Sequence, residues 1–184
     1  MIAPALPSEF SRTFRLDEIG RLSERTHIAA NEAERAALAR RFGYVSIDQL
    51  EANFTAAFEG ETLIASGRLR ATLAQPCIAT AEPVPEMVDT PFVLRFLPKG
   101  RAGVAAAGSA EEMEIDAQEV DTITYSDDRI DMGEAVAETL ALSVDPYPRS
   151  KDADSFLKQM GVLSEEQASP FAVLLSAATT KSNR

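Results

Sequence analysis

Paired arginines are the residues of this sequence whose type and spacing best suit chemistry at a surface. Arg68 and Arg70 stand two positions apart in an alternating segment, so a β-strand would project both side chains from one face, roughly 7 Å apart. Arginine makes bidentate contacts to phosphate, and we predict that these two and Arg95 form a contact face for a phosphate-bearing partner. Seven further arginines lie between Arg12 and Arg41. For all of them, an ordinary solvated surface is the alternative interpretation.

The single cysteine and the single histidine limit the chemistry that the chain can perform. Cys77 has no disulfide partner within the chain, which fits a reducing compartment. One Cys and one His exclude a His/Cys zinc site within a single chain. His27 has no paired nucleophile in view. We therefore expect no catalytic residue, no metal site, no cofactor and no small-molecule substrate.

Acidic residues are concentrated in the second half of the chain. The formal net charge is -11, and residues 81–184 hold 19 of the 29 acidic side chains but 9 of the 18 basic ones. This balance disfavours bulk electrostatic binding of nucleic acid, although a local basic face remains compatible with it. Residues 111–131 are the most acidic stretch and lack the loop spacing of an EF-hand. We expect a solvated acidic loop there, or a contact for a basic protein.

Alternating apolar residues predict the strands that position the arginines. Strands are expected over 50–58 and 62–74, joined by a turn at 59–60, and a third strand over 84–96. Prolines in the third strand indicate an edge or bulged position. The connections favour an antiparallel meander, because parallel strands need crossovers of about a dozen residues or more. A weaker alternation over 9–16 indicates an earlier strand.

Capping residues predict the helices. Asn31 can begin a helix that ends at Gly43. Asp131 can begin a second one, with Glu134 as the other member of a capping-box pair. A short final helix is expected from Ser169, with proline at its first position.

These elements predict an α+β fold, with an antiparallel β-meander sheet and helices packed on one face. We expect a single domain over 1–184, a loose N-terminus at 1–8 and a flexible Gly/Ala-rich and acidic segment at 98–120. No secretory signal is evident, and no apolar run of roughly 18 residues could span a membrane. The expected location is the cytoplasm.

Three stretches in order resemble the YceD family, the large-subunit ribosomal RNA accumulation proteins of bacteria, with relatives in plastids. They are Thr-Leu-Ala-Gln-Pro-Cys-Ile-Ala-Thr at 72–80, Arg-Ile-Asp at 129–131 with the helix and prolines that follow, and Ser-Pro-Phe-Ala-Val-Leu at 169–174. The resemblance covers roughly residues 45–178. The positions that match the family motifs are Cys77, Thr80, Ile130, Asp131, Glu138, Pro146, Pro170 and Phe171.

The resemblance implies a role in synthesis, processing or stability of large-subunit ribosomal RNA, and it marks no active site. Many members carry Cys-x-x-Cys where this chain has Cys77 and Thr80, so zinc binding by that route is not expected here. Cys77 is then either a buried small apolar residue or the remnant of a redox or metal site. Glu138 is either an exposed helix residue or a contact for a basic partner.

Three hypotheses of function remain open at this point. The first is a non-enzymatic ribosome-biogenesis factor that binds ribosomal RNA or a large-subunit ribosomal protein, with phosphates meeting Arg68, Arg70 and Arg95. The second is an acidic, protein-only adaptor for a basic ribosomal protein. The third and weakest is a metal-dependent RNA-processing hydrolase, with carboxylates of 111–131 holding Mg²⁺.

Overall fold

The chain combines strands and helices, as the α+β prediction requires. A computed structural model describes residues 8–19, 25–99, 121–126 and 128–162. The predicted strands over 50–58, 62–74 and 84–96 are confirmed. The elements in chain order are β1 Thr13–Arg15, α1 Leu16–Ile19, β2 Thr26–Ala29, α2 Glu32–Phe42, β3 Ser46–Glu59, β4 Thr62–Pro76, β5 Pro83–Pro98, β6 Asp121–Tyr125, β7 Arg129–Asp131, α3 Met132–Ser143 and α4 Ala153–Gln159.

A mixed sheet organises the described part of the chain. Its order is β2-β3-β4-β5-β6, and β1 pairs separately with β7. Strands β2 and β4 run antiparallel to β3, but β6 runs parallel to β5, with Leu94 opposite Asp121. A strict antiparallel meander is therefore not confirmed. The prediction weighed only the short connections, whereas the chain between Pro98 and Asp121 is long enough for the crossover that a parallel pair needs.

Alternation along the strands separates a buried face of the sheet from an open one. The turn between β3 and β4 uses Gly60 at a φ of 62°, a backbone conformation that glycine adopts without steric cost. β6 pairs only with Leu94–Pro98, so the prolines earlier in β5 lie outside a doubly paired stretch. The buried side chains of the three long strands include Leu50, Ala52, Phe54, Leu63, Ala65, Leu69, Ala71, Leu73, Phe92, Leu94 and Phe96.

Helix α2 packs on the buried face through a small apolar surface. Its ends are as predicted: Asn31 caps the first turn in a reciprocal pair with Glu34, and Gly43 ends the helix at a φ of 73°. Leu38 and Ala39 are the buried residues of the helix. They belong to the same core cluster as the buried face of the sheet and the apolar residues of α3, which places α2 and α3 on that face.

Helix α3 begins at the predicted cap, but its second capping residue has another role. The Asp131 side chain accepts hydrogen bonds from the backbone N–H groups of Gly133 and Glu134. The Glu134 carboxylate does not complete a box in the described structure; it pairs with Arg41 and accepts from Ser8. Ser8 is thereby held, although it falls within the terminus predicted to be loose.

The segment before α1 is only partly a strand. Of the predicted strand over 9–16, only Thr13–Arg15 pairs with β7, and α1 begins at Leu16. Phe10 is fully buried and passes so close to Gly133 that a Cβ there would lie 2.4 Å from the Phe10 carbonyl oxygen. Only glycine fits at that contact.

The contacts divide the chain into two compact units. One comprises Met1–Gln75 and Pro85–Pro146, and the other Pro76–Val84 and Tyr147–Arg184. The single domain over 1–184 stays a prediction. The helix expected from Ser169, with Pro170 and Phe171, lies outside the described residues, as does most of the segment 98–120. No described helix has the length and apolarity needed to cross a membrane.

Candidate functional site

The open face of the sheet carries the paired arginines. Arg68 and Arg70 are exposed on β4, while Leu69 between them is buried. Asn53 stands opposite Arg68 and Glu51 opposite Arg70 on β3. The two guanidinium groups therefore project from the same face, as their spacing predicted.

A carboxylate on β5 joins the two arginines. The Nε of Arg68 donates to Oδ1 of Asp89, and the Nε of Arg70 lies 3.6 Å from Oδ2 of the same group. The hydrogen bond from Arg68, followed by the charges of both arginines, holds the pKa of Asp89 below its ordinary range. Asp89 was not predicted from the sequence; its position in the alternating pattern of β5 was the available signal.

Arg95 lies on the same face but away from this pair. It is exposed on β5, opposite Thr122 of β6. Six residues of strand separate it from Asp89, a distance of roughly 20 Å. Within the described chain, Arg95 forms no ion pair. The structure thus brings Arg68 and Arg70 together and leaves Arg95 apart.

Several N-terminal arginines bind within the chain itself. Arg12 makes two hydrogen bonds to the Glu34 carboxylate, at 2.7 and 2.9 Å. Arg41 makes two to Glu134, at 3.0 and 2.6 Å, and its bond lowers the pKa of that carboxyl. These two side chains therefore fit neither the interpretation as solvated surface arginines nor the interpretation as contacts for a partner. They fasten the N-terminal segment to α2 and α3.

Cys77 lies in the second compact unit, in a cradle of hydrogen-bond donors. It is 3% exposed. Its Sγ accepts backbone N–H groups from Ala79, Thr80 and Ser150, the last at 3.2 Å. The hydroxyl groups of Thr80 and Ser150 lie 3.2 Å apart. Burial raises the pKa of the thiol, but hydrogen bonds from Ser150 and Thr80 outweigh it, so the pKa falls to about 6.

The hydrogen-bond donors around Cys77 can be compared with its two interpretations, a buried small apolar residue and the remnant of a redox or metal site. The side chain is buried, as a small apolar residue would be, yet its donors suit a thiolate. The motif position Thr80 and its neighbour Ser150 present hydroxyl groups, whereas a metal site would need stronger ligands. Within the described ranges, no three His, Cys, Asp or Glu side chains are grouped to hold a metal ion.

Glu138 stands beside a small cavity between β6 and α3. It is exposed, and it has no described ion-pair partner. The cavity has a volume of about 280 Å³ and is also lined by Tyr125, Arg129 and Glu134. Partial burial, followed by the charge of Glu134, raises the pKa of Glu138. Most of the acidic stretch 111–131 lies outside the described residues, so its expected role stays a prediction.

The remaining motif positions have structural roles. Ile130 is buried. The Asp131 carboxylate, besides capping α3, accepts from the backbone N–H of Arg12 and the hydroxyl of Ser11. Pro146 follows the end of α3. None of these contacts requires a reacting group.

Comparison with known proteins identifies the family. No curated protein matches the chain, and no solved structure does. The family model described as "Large ribosomal RNA subunit accumulation protein YceD" matches residues 65–176, more than half of the chain. The matched range includes the paired arginines, the cysteine cradle and α3. The chain belongs to the YceD family.

Proposed function

We propose that this protein supports the accumulation of large-subunit ribosomal RNA in the cytoplasm by binding, not by catalysis. The observation that carries the proposal is the Arg68–Arg70 pair on the open face of the sheet. The family description supplies the process, and the pair supplies a chemical means of taking part in it. The partner is the ribosomal RNA itself.

The electrostatics of the face fit contact with a phosphate backbone. The net charge of -11 opposes non-specific attraction of nucleic acid, so contact must be local. The Arg68 and Arg70 side chains are 47% and 57% exposed. Their neighbours on β3 are polar: Asn53 stands opposite Arg68 and Glu51 opposite Arg70, with Thr55 further along the strand. Guanidinium groups on such a face can bind phosphates, while the amide and hydroxyl groups position the backbone.

The experiment reverses the two charges in cells depleted of the native protein. Arg68→Glu with Arg70→Glu should lower both the co-purified large-subunit ribosomal RNA and the ratio of large- to small-subunit RNA. The matched control is Arg25→Glu with Arg40→Glu, which makes the same change in net charge at exposed arginines elsewhere. If the two variants behave alike, the open face is not the contact.

A protein-only adaptor is the second candidate, and Glu138 favours it. An exposed carboxylate with no described partner, beside a cavity, suits a lysine or arginine of a basic ribosomal protein. This alternative predicts that ribonuclease does not release the protein from its partner. It also predicts that Glu138→Gln weakens association, while the Arg68 and Arg70 variants do not.

A further inference from the structure

Asp89 occupies the site that the proposed function assigns to phosphate. Its two carboxylate oxygens face different arginines, Oδ1 towards Nε of Arg68 and Oδ2 towards Nε of Arg70. The Nη atoms of both arginines donate no hydrogen bond within the described chain. Arg68 therefore uses one N–H group on Asp89, and Arg70 forms an ion pair with it just beyond hydrogen-bond distance. The terminal forks of both arginines are left unoccupied within the described residues.

One anion shared by two guanidinium groups defines a clamp. A phosphate oxygen pair presents to arginine the same planar acceptor geometry as a carboxylate. We propose that Asp89 is the resting occupant of an anion clamp formed by Arg68 and Arg70, and that nucleic-acid backbone is the ligand that displaces it. This inference rests on the proposed function and adds the residue that regulates the site.

The exposure of Asp89 allows a ligand to displace it from the two arginines, and favours RNA over a single small anion. The Asp89 side chain is 50% exposed, and solvent screens exposed ion pairs so that each contributes little stability. A ribosomal RNA strand offers successive phosphates and releases counterions as it binds, which compensates for the lost pairs. A single small anion exchanges one weak contact for another and gains little. Asp89 thus disfavours isolated anions and admits an RNA strand with its successive phosphodiester groups.

The test compares two carboxylates on the same face. Asp89→Asn removes the negative charge that contacts the arginines. Glu51→Gln removes one that stands opposite Arg70 on the neighbouring strand without a described ion pair. Each variant leaves the side-chain volume nearly unchanged, and each removes one negative charge, so the two variants have the same net charge. Affinity for deproteinised large-subunit ribosomal RNA is measured by filter binding at several salt concentrations, with inorganic phosphate as the small-anion probe.

The expected result separates the two variants. Asp89→Asn should bind the RNA about threefold to tenfold more tightly than the native chain, the factor expected from two exposed ion pairs. Inorganic phosphate should compete with the RNA measurably better in that variant than in the native chain. Glu51→Gln should change the RNA affinity by less than about twofold. Adding Arg68→Ala and Arg70→Ala to Asp89→Asn should abolish the gain.

Each contrary result has a distinct meaning. Equal gains in Asp89→Asn and Glu51→Gln would overturn the clamp, because net charge alone would then explain them. Weaker binding by Asp89→Asn would overturn it as well, since Asp89 would then orient the arginines for the ligand. In both cases, RNA binding that depends on Arg68 and Arg70 would leave the proposed function standing. No RNA binding by any variant would overturn both.

Discussion

Two groups of arginine–carboxylate pairs in the described structure, the N-terminal pairs and those on the open face of the sheet, differ in their surroundings. The N-terminal network consists of the pairs Arg12–Glu34 and Arg41–Glu134. Within it, the Arg12 side chain is 31% exposed and that of Glu34 is 18% exposed. On the open face, Arg70 is 57% exposed and Asp89 is 50% exposed. The network pairs are bidentate, whereas on the open face Arg68 donates one hydrogen bond to Asp89 and Arg70 lies 3.6 Å from it. The same residue types therefore link separate segments of the fold in one region and remain open to solvent in the other.

The largest expected effect concerns the contact that seats the N-terminal segment on α3. Gly133→Ala should lower the free energy of unfolding by about 3 kcal/mol, because the new Cβ would meet the Phe10 carbonyl at 2.4 Å. The matched control, Gly60→Ala, has nothing within 4 Å of its Cβ and should cost about 1 kcal/mol through its positive φ alone. Urea unfolding measures both. Equal losses of stability in the two variants would mean that the backbone at the contact between Phe10 and Gly133 can shift to accommodate a Cβ.

The second effect separates the two regions directly. Arg41→Met should lower the free energy of unfolding by about 1–2 kcal/mol, because it leaves the half-buried Glu134 without its charged hydrogen bonds. Arg70→Met should cause no measurable loss, because its ion pair is exposed. The same urea titration tests both variants. A loss at Arg70 as large as that at Arg41 would remove the distinction.

Acid should affect the network more than the open face. Hydrogen bonds from Arg12 and Arg41 lower the pKa values of Glu34 and Glu134 in the folded chain. Their contribution to stability is therefore complete above the unfolded pKa, near 4.3, and is lost as the pH falls through the lowered folded values. Arg12→Met with Arg41→Met should flatten this acid limb of the stability curve, whereas Asp89→Asn should flatten it less, because the ion pairs of Asp89 are more exposed to solvent. A limb unaffected by the arginine variants would show that other carboxylates determine it.

The last effect concerns the cysteine cradle and is confined to a limited range of pH. The lowered pKa of Cys77, about 6 against an ordinary 9.0, means that the folded chain holds a thiolate where the unfolded chain holds a thiol. The stability that this gives is present above the ordinary value and is lost as the pH falls towards about 6. Cys77→Ser should therefore weaken the rise in stability between these two pH values. An identical rise in the variant would mean that the thiol stays protonated.

Sequence patterns predicted those parts of the fold that depend on neighbouring residues. Alternation placed Arg68 and Arg70 on one face, and the capping residues Asn31 and Asp131 marked the starts of α2 and α3 correctly. Pairings between distant segments were not predictable in the same way. The parallel β5–β6 pair joins strands across a long connection, and no local pattern distinguishes a parallel edge strand from a loop.

The candidate site shows the same limit. Which carboxylate an arginine meets depends on strand order and register, so neither Asp89 nor Glu134 could be assigned from spacing alone. The sequence showed which arginines share a face, but not that Arg41 pairs with Glu134 and Glu9. Arg95 satisfied the alternation and still lies far along β5, because the pattern carries no information about distance across the sheet.

The pairing of β1 with β7 has a consequence for the order of folding. Thr13 lies opposite Asp131, so β1 can pair only after residues more than a hundred positions later in the chain have been synthesised. The turn between β3 and β4 closes a short loop, and local closure precedes distant closure because its entropic cost is lower. The open face should therefore form first and the N-terminal network last. Pulse-labelled hydrogen exchange should show protection in β4 before β1; the reverse order would contradict this.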